Sequence, residues 1–444
     1  MMHIIINKSV SARSYDFRLP RSFLTDEENH ISYFLKGDLS CLWKFIVDLQ
    51  DYNEIKKYAK QYKIDDILPS FLNLLKRKNL INFDWDFDCP KIDFPVFIIS
   101  DKDKKFPYYI QRVQNLICKE NKINQLYLQL TYKCNLKCRH CFMPQNAKEC
   151  EITYEKAKEI IDEAYDLGIN NVRISGGECT LSRDFIKIIR YIRQKYLSYS
   201  FVTNGQMLYE DESLFNEIIN TYPNNIKISL YSMEENVHDF ITGVKGSHYK
   251  TLNVINRLKK HNINVTIACF LMKYNAAGCK AVNDFAKEIN ADITFDTIFI
   301  DNPGNLNSYV KLSEEETEVL YLNKNYPNNI YNSELKRMRT NVKMCEAGYM
   351  LLNVMPNLDI TPCVNVKYKL GNFKTDSLTK IWNEVIPRFR QNLPFKNTSE
   401  CNKHPYCRYC RFCPAIAMYS EKSKKKPVSI CDDAMAYYNA LNKI

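Results

Sequence analysis

The chain has 444 residues, of which 45% are hydrophobic, with a formal net charge of +11 and seventeen cysteines. This is enough apolar material for several domains of roughly 100–200 residues each, and no run of about 18 apolar residues suggests a membrane-spanning helix. The first ten residues lack the apolar core of a signal peptide, so we expect a cytoplasmic protein without a membrane partner. Its cysteines are then expected to bind metal rather than to form disulfides.

The positive charge is unevenly distributed. Residues 1–90 contain 13 Lys and Arg against 13 Asp and Glu, whereas residues 388–426 contain 10 against 2. The excess lies among the C-terminal cysteines, where it can balance the negative charge of a thiolate-bound cluster. This location favours a cluster-binding region over a nucleic-acid partner.

Residues 1–90 have the pattern of a small separate module. Short strands are predicted at residues 3–7, 15–19 and 31–35, and helices at residues 39–49, 52–62 and 65–76. The periodicity then breaks, and residues 91–122 are predicted to be a linker.

Between residues 123 and 310, apolar runs alternate with amphipathic helices. The runs cover residues 126–130, 171–175, 199–203, 226–230, 265–270 and 293–298. Such alternation predicts a parallel sheet buried on both faces, with too few units for an eight-stranded barrel. We therefore predict an α/β fold with a partial (β/α)6 barrel, whose functional groups lie at the C-terminal ends of the strands. Residues 311–343 would then bridge the barrel to a C-terminal domain.

Three cysteines follow the first of these strands in the segment Cys134-Asn-Leu-Lys-Cys138-Arg-His-Cys141. Three thiolates at this spacing can bind three irons of a cubane cluster and leave the fourth iron open to a small molecule. Zinc is the alternative, but it normally takes four ligands, and no fourth lies nearby in the sequence.

This Cys-x3-Cys-x2-Cys segment resembles the signature of the radical S-adenosylmethionine superfamily. The resemblance implies that Cys134, Cys138 and Cys141 bind a catalytic 4Fe–4S cluster whose open iron chelates S-adenosylmethionine. It also implies that reductive cleavage of this cofactor produces a 5′-deoxyadenosyl radical, which abstracts hydrogen from a substrate.

Residues at the ends of the next three strands match family positions that contact the cofactor. The two glycines of the Gly-Gly-Glu motif let the backbone approach a ligand, and the Glu178 carboxylate can accept from an ammonium group. The resemblance implies these cofactor-binding residues: Ser175, Gly176, Gly177, Glu178, Asn204 and Ser229. Cys179 stands where the family commonly has proline, and we interpret it as a packing residue.

A second set of cysteines occupies residues 344–444, the predicted C-terminal domain. The set comprises Cys345, Cys363, Cys401, Cys407, Cys410, Cys413 and Cys431. With Gly371-Asn-Phe373, the spacing resembles the SPASM extension, which holds two auxiliary clusters and would bring the total to three 4Fe–4S clusters. Leu358 replaces a glycine of that family. A four-thiolate zinc site within residues 401–413 is the alternative.

The resemblance implies a division of these ligands between the two auxiliary clusters. The outer cluster would take Cys401, Cys407, Cys410 and Cys431, and the inner cluster Cys345, Cys363 and Cys413. Two four-iron clusters need eight protein ligands, so seven cysteines leave one iron open or completed by another residue such as His404. An open iron could bind a substrate thiolate and favour thioether formation.

The first 85 residues resemble the PqqD-like element, in which a small winged-helix unit binds the leader of a precursor peptide by strand addition. A DNA-binding winged helix is the alternative, but equal numbers of basic and acidic residues argue against it.

Together these resemblances predict a radical S-adenosylmethionine maturase of a ribosomally made peptide, most consistent with thioether cross-linking. Its expected partners are the precursor peptide and a reductase, flavodoxin or ferredoxin as electron donor. Carbon–carbon cross-linking, epimerisation and sulfatase-maturase-like protein oxidation are alternative activities. A non-catalytic electron carrier or peptide-binding scaffold is an alternative of another class.

Overall fold

The computed structural model describes residues 2–15, 21–85, 94, 96–100, 120–141, 143, 150–296, 311–322, 347–365, 368–391, 405, 435–436 and 438–440. Its strands are β1 (Ile5–Ile6), β2 (Val10–Tyr15), β3 (Arg21–Asp26), β4 (Ile31–Lys36), β5 (Ile81–Asn82), β6 (Phe97–Ser100), β7 (Gln125–Gln129), β8 (Asn171–Ser175), β9 (Ser198–Thr203), β10 (Asn225–Ser229), β11 (Val265–Phe270), β12 (Asp292–Asp296), β13 (Leu351–Val354), β14 (Asp359–Thr361) and β15 (Gly371–Asn372).

The helices alternate with these strands through the centre of the chain. They are α1 (Asp38–Leu49), α2 (Tyr52–Gln61), α3 (Leu68–Arg77), α4 (Tyr154–Asp166), α5 (Phe185–Gln194), α6 (Gln206–Glu210), α7 (Glu212–Asn220), α8 (Glu235–Thr242), α9 (Ser247–Lys260), α10 (Cys279–Glu288), α11 (Glu314–Leu322), α12 (Leu378–Lys380) and α13 (Ile386–Gln391). A π-helical turn at Ile381–Val385 joins the last two. None of the helices in the described part of the chain is long and apolar enough to cross a bilayer.

The N-terminal module contains the three predicted helices, packed on an antiparallel sheet. Asp51 caps α2 by accepting hydrogen bonds from the backbone N–H groups of Asn53 and Glu54 at 3.0 and 3.2 Å. The fully buried Trp43 and Phe71 lie in the core of the module. The predicted strand at residues 31–35 is confirmed, and two further strands run over Val10–Tyr15 and Arg21–Asp26. Of the strand predicted at residues 15–19, only Tyr15 lies within the described residues.

The predicted linker contains a strand that belongs to the N-terminal sheet. β6 pairs antiparallel with β4, so that Tyr33 lies opposite Ile98 and the sheet order is β2-β3-β4-β6. The N-terminal module therefore extends beyond residue 90. The sequence of residues 97–100 is a short apolar run, and it does not indicate which sheet the strand would pair with.

The six predicted strands of the central sheet are confirmed, in the parallel order β12-β11-β10-β9-β8-β7. The expectation that both faces are apolar is wrong. Val172 and Ile174 face the helices and are fully buried, whereas Arg173 between them lies on the inner face with the partly buried Asn171 and Ser175. The inner face of the partial barrel is polar, so its strands alternate.

The central sheet continues into the C-terminal region. β13 pairs parallel with β7, and β14 and β15 follow as antiparallel neighbours, giving nine strands in one sheet. Regular strands and helices therefore occur between residues 351 and 391 of the predicted C-terminal domain. The buried Trp382 donates from its indole N–H to the Asn121 carbonyl at 2.7 Å, which holds this region against the start of the barrel.

The N-terminal module covers the end of the barrel at which the parallel strands begin. The Ala12 N–H donates to the Tyr196 carbonyl at 2.7 Å, and the Arg193 guanidinium donates to the Val10 carbonyl at 2.9 Å. Asn224, just before β10, donates to Glu27 at 2.9 Å. A polar cavity of about 680 Å³ lies between the module and the inner face of the barrel. The module is thus remote from the C-terminal strand ends.

Candidate active site

The three signature cysteines lie on the loop that leaves β7 at the C-terminal end of the sheet. This loop is held against the end of α8, because the Lys137 N–H donates to the Thr242 carbonyl and the Arg139 N–H to the Ile241 carbonyl, both at 2.9 Å. The backbone around Cys138 is therefore fixed from two sides. Such a fixed loop suits a ligand set that must bind several irons in one geometry.

Gly176 and Gly177 lie directly against the backbone at the start of that loop. The Gly177 N–H donates to the Thr131 carbonyl at 2.8 Å. A Cβ atom on Gly177 would stand 2.3 Å from the Lys133 oxygen, and one on Gly176 would stand 2.5 Å from the Thr131 oxygen. Gly176 also has a φ of +148°, which residues with a side chain rarely adopt. Both glycines are required for the approach of β8 to the cysteine loop.

Glu178 is buried at 1% exposure and joins the ends of β8 and β9. One carboxylate oxygen accepts from the Thr180 N–H, the Thr180 hydroxyl and the Thr203 hydroxyl at 3.2, 2.7 and 2.8 Å. The other accepts from the Asn204 N–H at 2.7 Å. Burial raises the pKa of Glu178, and these donors partly offset that rise.

This network gives Glu178 a structural role. Three of the four donors share one carboxylate oxygen, and the other oxygen accepts only from the Asn204 N–H, so that oxygen keeps a lone-pair site for a further donor. Glu178 therefore holds neighbouring strand ends together, and its contact with an ammonium group stays a prediction. The two threonine partners were missed from sequence, because ordinary threonines at strand ends carry no distinguishing pattern.

Asn204 connects the end of β9 to the cysteine loop. Its amide nitrogen donates to the Asn135 side-chain oxygen at 2.7 Å and lies 3.9 Å from the Cys134 sulfur. Its amide oxygen accepts from the Gln206 N–H at 3.0 Å. The structure thus brings two separately predicted site residues, Asn204 and Cys134, into contact.

Ser175 and Ser229 lie half-buried at the C-terminal ends of β8 and β10, on the same edge of the sheet as Asn204. Ser229 hydrogen-bonds the side chain of the buried Tyr231. All six predicted cofactor-binding positions therefore follow or end three neighbouring strands at the mouth of the barrel. Cys179 is fully buried in the core and donates to the Val202 carbonyl at 3.3 Å, as a packing residue does.

The surroundings of the signature thiols fit a bound cluster. Burial raises the pKa of Cys134 to about 11, and burial with the thiols of Cys134 and Cys141 raises the pKa of Cys138. Cys138 packs against Tyr231, Ile241 and Met272, and the Tyr231 hydroxyl hydrogen-bonds its sulfur. These thiols need nearby positive charge to ionise, which iron supplies.

Among the described residues, no three His, Cys, Asp or Glu side chains converge to hold a single metal ion. A cubane does not require convergence on one atom, because each of the three cysteines binds a different iron. The loop therefore fits a cluster better than it fits one zinc ion.

The inner face of the barrel carries charge below this site. The Arg173 guanidinium donates to the Tyr127 hydroxyl at 2.8 Å. Burial, and then the nearby Arg173, lowers the pKa of Lys227, while Asp296 raises it. The opening between the strands is thus polar and predominantly cationic at this level.

The candidate auxiliary ligands are only partly covered by the described residues. Cys363 follows β14, where the Thr361 hydroxyl donates to its carbonyl at 3.0 Å. The other six lie outside the described residues: Cys345, Cys401, Cys407, Cys410, Cys413 and Cys431. Leu358 has a φ of +67°, so the backbone keeps a glycine-like conformation where the family has glycine.

Comparisons with known proteins agree with this site. Residues 128–285 match the model of the radical SAM superfamily, and residues 345–414 match the SPASM iron–sulfur cluster-binding domain. The chain is 26% identical over 324 residues to the Bacillus subtilis antilisterial bacteriocin subtilosin biosynthesis protein AlbA, covering 68% of this chain and 69% of AlbA. It is 22% identical over 167 residues to the PqqA peptide cyclase of Bradyrhizobium diazoefficiens, covering 37% of this chain and 43% of the cyclase.

The fold is also similar to that of a solved structure, Streptococcus suis SuiB bound to the precursor peptide SuiA. The TM-score is 0.59 at 17% identity, over 96% of this chain and 99% of that one. The chain is therefore a radical S-adenosylmethionine enzyme with an α/β partial barrel. It carries a SPASM domain and uses S-adenosylmethionine and iron–sulfur clusters.

Proposed function

We propose that this enzyme modifies a ribosomally made precursor peptide, and that the modification is a thioether bond from a cysteine sulfur to carbon. The observation that carries the proposal is the identity to a bacteriocin biosynthesis protein over 68% of the chain. A cyclase of a peptide among the relatives, and a fold like that of an enzyme solved with a precursor peptide, support the same substrate class.

The signature loop would bind the catalytic cluster through Cys134, Cys138 and Cys141. A 4Fe–4S cluster held by these residues would supply the electron for reductive cleavage of S-adenosylmethionine, and thereby the 5′-deoxyadenosyl radical for hydrogen abstraction. The main chain at Gly176 and Gly177 brings the end of β8 beside the cofactor, with Ser175, Asn204 and Ser229 around it. Glu178 positions Asn204 through the 2.7 Å bond from its N–H, as a positioning residue.

The inner face of the barrel would receive the peptide below the cofactor. Lys227 and Arg173 present positive charge there, and Tyr127 and Ser200 add hydroxyl groups. Backbone carbonyls and acidic side chains of a peptide match this lining, because both accept hydrogen bonds from cations. Residues around the opening would thereby hold an extended core peptide near the radical.

Two auxiliary clusters in the C-terminal domain would complete a set of three. Seven cysteines serve eight ligand positions, so one inner-cluster iron would lack a protein thiolate. An iron at that position would bind a core cysteine as its thiolate, after loss of the thiol proton, and would hold the sulfur close to the carbon radical. The cluster would also supply the acceptor for the one electron released when the sulfur bonds to that carbon. If His404 or another residue fills the position, the cluster transfers electrons only, and carbon–carbon linkage or epimerisation becomes the expected outcome.

The N-terminal module would bind the leader of the precursor. Its three helices and antiparallel sheet have the order expected of a peptide-recognition unit of the PqqD type. It covers the end of the barrel opposite the cysteine loop, so a precursor held there must extend past the barrel to place its core at the catalytic end. A flexible leader-to-core connection provides that reach.

An acidic electron-carrier protein would dock beside Cys138. The docking surface consists of Lys137, Arg139, Phe240, Lys245, Lys273 and Tyr274. Phe240 and Tyr274 are 42% and 44% exposed with ring centres 5.0 Å apart, and the Arg139 guanidinium lies 3.9 Å from the Phe240 ring centre.

Charge supports an acidic partner at this surface. Within the described part of the chain, its three lysines form no ion pair, and the exposed Glu234 and Glu235 lie at the far end of α8. Exposed aromatic rings surrounded by lysines that form no ion pair are typical of a surface that binds a negatively charged protein.

Two assays test the proposed function. Reconstituted enzyme with reductant and S-adenosylmethionine should form 5′-deoxyadenosine, and the Cys134→Ala, Cys138→Ala, Cys141→Ala triple variant should form none while keeping auxiliary iron. If the protein were a non-catalytic electron carrier, neither the unchanged protein nor the triple variant would form 5′-deoxyadenosine. The neighbouring sequence should be searched for a short reading frame that encodes a leader and a patterned core. Co-expression with that peptide should give a mass loss of two hydrogens per thioether.

The bond type is tested by changing each core cysteine of that peptide to alanine. Thioether formation requires the thiol, so the mass change should disappear with the cysteine. A modification that survives the loss of every core thiol would contradict thioether formation and favour carbon–carbon linkage or epimerisation. A modified folded protein instead of a short peptide would favour the sulfatase-maturase-like alternative.

A further inference from the structure

The edge of the N-terminal sheet that a leader peptide would join is already occupied by the chain itself. β6 pairs with β4 through four residue pairs, from Phe34 opposite Phe97 to Ile31 opposite Ser100. β6 comes from the segment that connects the N-terminal module to the barrel. A leader can add to β4 only where β6 is absent.

The same segment fills a groove between β4 and α3. The groove walls are Tyr33, Leu35, Leu74, Leu75, Lys78 and Leu80, and Val96 and Ile98 lie over them. Farther along, the rings of Phe94 and Phe71 meet edge to face, with centres 5.8 Å apart. Val96 and Ile98 are two residues apart, as side chains on one face of a strand are. The Val96 N–H donates to the Phe94 carbonyl at 2.7 Å, so the chain bends there and Phe94 reaches α3 separately.

The opposite edge of this sheet is not available for exchange. There the Ala12 N–H donates to the Tyr196 carbonyl at 2.7 Å, and Arg193 donates to the Val10 carbonyl at 2.9 Å. A peptide added beside β2 would have to separate the module from the barrel. The edge of β4 is therefore where strand exchange disturbs least.

The hold of β6 on this edge is limited. The strand has only four residues, and Ile98 remains 42% exposed in its place. Each hydrogen bond of such a short edge pairing has a net worth of about 0.5–1.5 kcal/mol. Because β6 is tethered, it competes at an effective concentration on the order of millimolar. A matching peptide can displace β6. Its apparent affinity is then the intrinsic affinity multiplied by the fraction of enzyme in which the edge of β4 is free.

We propose that β6 is an internal placeholder: it occupies the edge of β4 and the groove beside α3 until a peptide with apolar side chains at alternate positions displaces it. This inference rests on the leader recognition proposed above and adds its regulation. Free enzyme keeps its peptide-binding edge covered, which protects an exposed strand edge from pairing with other chains. Peptides that lack the alternating apolar pattern are then excluded.

The test uses a fluorescent synthetic peptide that copies residues 91–101, added to the full-length enzyme. In the Val96→Asp, Ile98→Asp variant the internal strand should leave the groove, so the peptide should bind at least tenfold more tightly than to the unchanged enzyme. The matched control is Ile5→Asp, at an apolar residue of the same module that is 62% exposed. It should bind like the unchanged enzyme. A peptide carrying both Asp changes should bind none of the three proteins.

Equal affinity of the unchanged and double-variant enzymes, or no binding by either, would overturn the placeholder. The single variant Ile98→Asp, at the more exposed position, repeats the comparison if the double variant melts at a lower temperature. Hydrogen exchange gives an independent readout with the precursor peptide. Amides 97–100 should lose protection when the precursor binds, while amides 31–36 keep theirs.

The outcomes separate this inference from the proposed function. Precursor binding with full protection retained at residues 97–100 would overturn the placeholder and leave leader recognition standing. Binding of the synthetic peptide without any binding of the precursor would remove leader recognition and support the exchangeable strand.

Discussion

Gln129, the last residue of β7, donates from its side-chain amide to the Asn353 side-chain oxygen of β13 at 3.1 Å. Asn353 in turn donates to the Thr361 hydroxyl at 2.8 Å, and this hydroxyl donates to the Cys363 carbonyl at 3.0 Å. Gln129 and Asn353 are buried at 3% and 0% exposure. A continuous row of hydrogen bonds thus connects the strand before the Cys134–Cys141 loop to Cys363.

Replacing Asn353 by Leu should separate these two regions. The change keeps the branched shape of the side chain but leaves a buried amide donor on Gln129 without its partner, and it removes the donor to the Thr361 hydroxyl, which keeps only its bond to the Cys363 carbonyl. Each unsatisfied group costs about 1–3 kcal/mol, so a lower melting temperature is expected. Iron analysis should show that iron is lost only from the proposed auxiliary clusters. The control Asn53→Leu, at an exposed position of α2, should change neither. Unchanged stability of Asn353→Leu would mean that the row is not structural.

Gly177 is predicted to tolerate no side chain. Its Cβ would lie 2.3 Å from the Lys133 oxygen and 2.6 Å from the Tyr132 oxygen, so Gly177→Ala must displace the cysteine loop. We expect at least tenfold slower formation of 5′-deoxyadenosine. The control is Gly278→Ala, whose Cβ meets nothing closer than the Ser232 hydroxyl at 3.9 Å and should leave the rate unchanged. Equal rates for the two variants would show that the close approach is not needed.

The sequence predicted the strands that have a local apolar pattern, but not the features that depend on contacts between distant parts of the chain. The apolar runs at residues 171–175 and 226–230 predicted strands correctly, because burial against helices demands a run of branched residues. The polar inner face was missed, because Arg173 and Lys227 look like interruptions until the strands close around an opening. β6 was missed because strand pairing over long sequence distance leaves no local signal.

The candidate site was predicted in composition but not in its internal bonds. The cysteine spacing and the Gly-Gly-Glu motif are local, so they identified the loop and the end of β8. The bonds from Thr203 and Asn204 to Glu178 join strands separated by a whole helix, and nothing in either segment specifies the other.

Glu178→Gln tests whether this carboxylate holds the strand ends in place. Each orientation of the new amide sets its NH2 group against a backbone N–H, of Asn204 or of Thr180, that cannot accept a hydrogen bond. We expect weaker binding of S-adenosylmethionine, seen as a KM raised more than kcat is lowered, because Asn204 moves. Glu217→Gln, which loses a surface ion pair to Arg190, should leave both constants unchanged. Unaltered KM in Glu178→Gln would contradict the positioning role.

Replacing Leu358 by Gly or by Ala tests whether the left-handed backbone at this position is strained. Leu358 is 8% exposed, so removing its side chain costs about 2–5 kcal/mol in either an Ala or a Gly variant. Its φ of +67° penalises alanine by about 1–2 kcal/mol, which glycine avoids. We expect Leu358→Gly to be at least as stable as Leu358→Ala by thermal unfolding. At the fully buried Leu352 of β13, where no positive φ occurs, glycine should be the less stable of the two. The same order at both positions would exclude backbone strain at Leu358.

The docking surface beside Cys138 predicts a difference between protein and chemical reductants. Lys137→Glu with Lys273→Glu reverses two exposed charges that have no ion-pair partner in the described part of the chain. Turnover driven by a flavodoxin or ferredoxin with its reductase should fall at least fivefold at low salt, and the difference should shrink as ionic strength rises. Turnover driven by dithionite should stay unchanged, because a small reductant needs no docking. Lys60→Glu with Lys374→Glu makes the same charge change at exposed lysines elsewhere and should behave like the unchanged enzyme. A loss of dithionite-driven turnover in the first variant would instead place these lysines in the support of the cysteine loop, and equal protein-driven rates for both variants would locate the donor elsewhere.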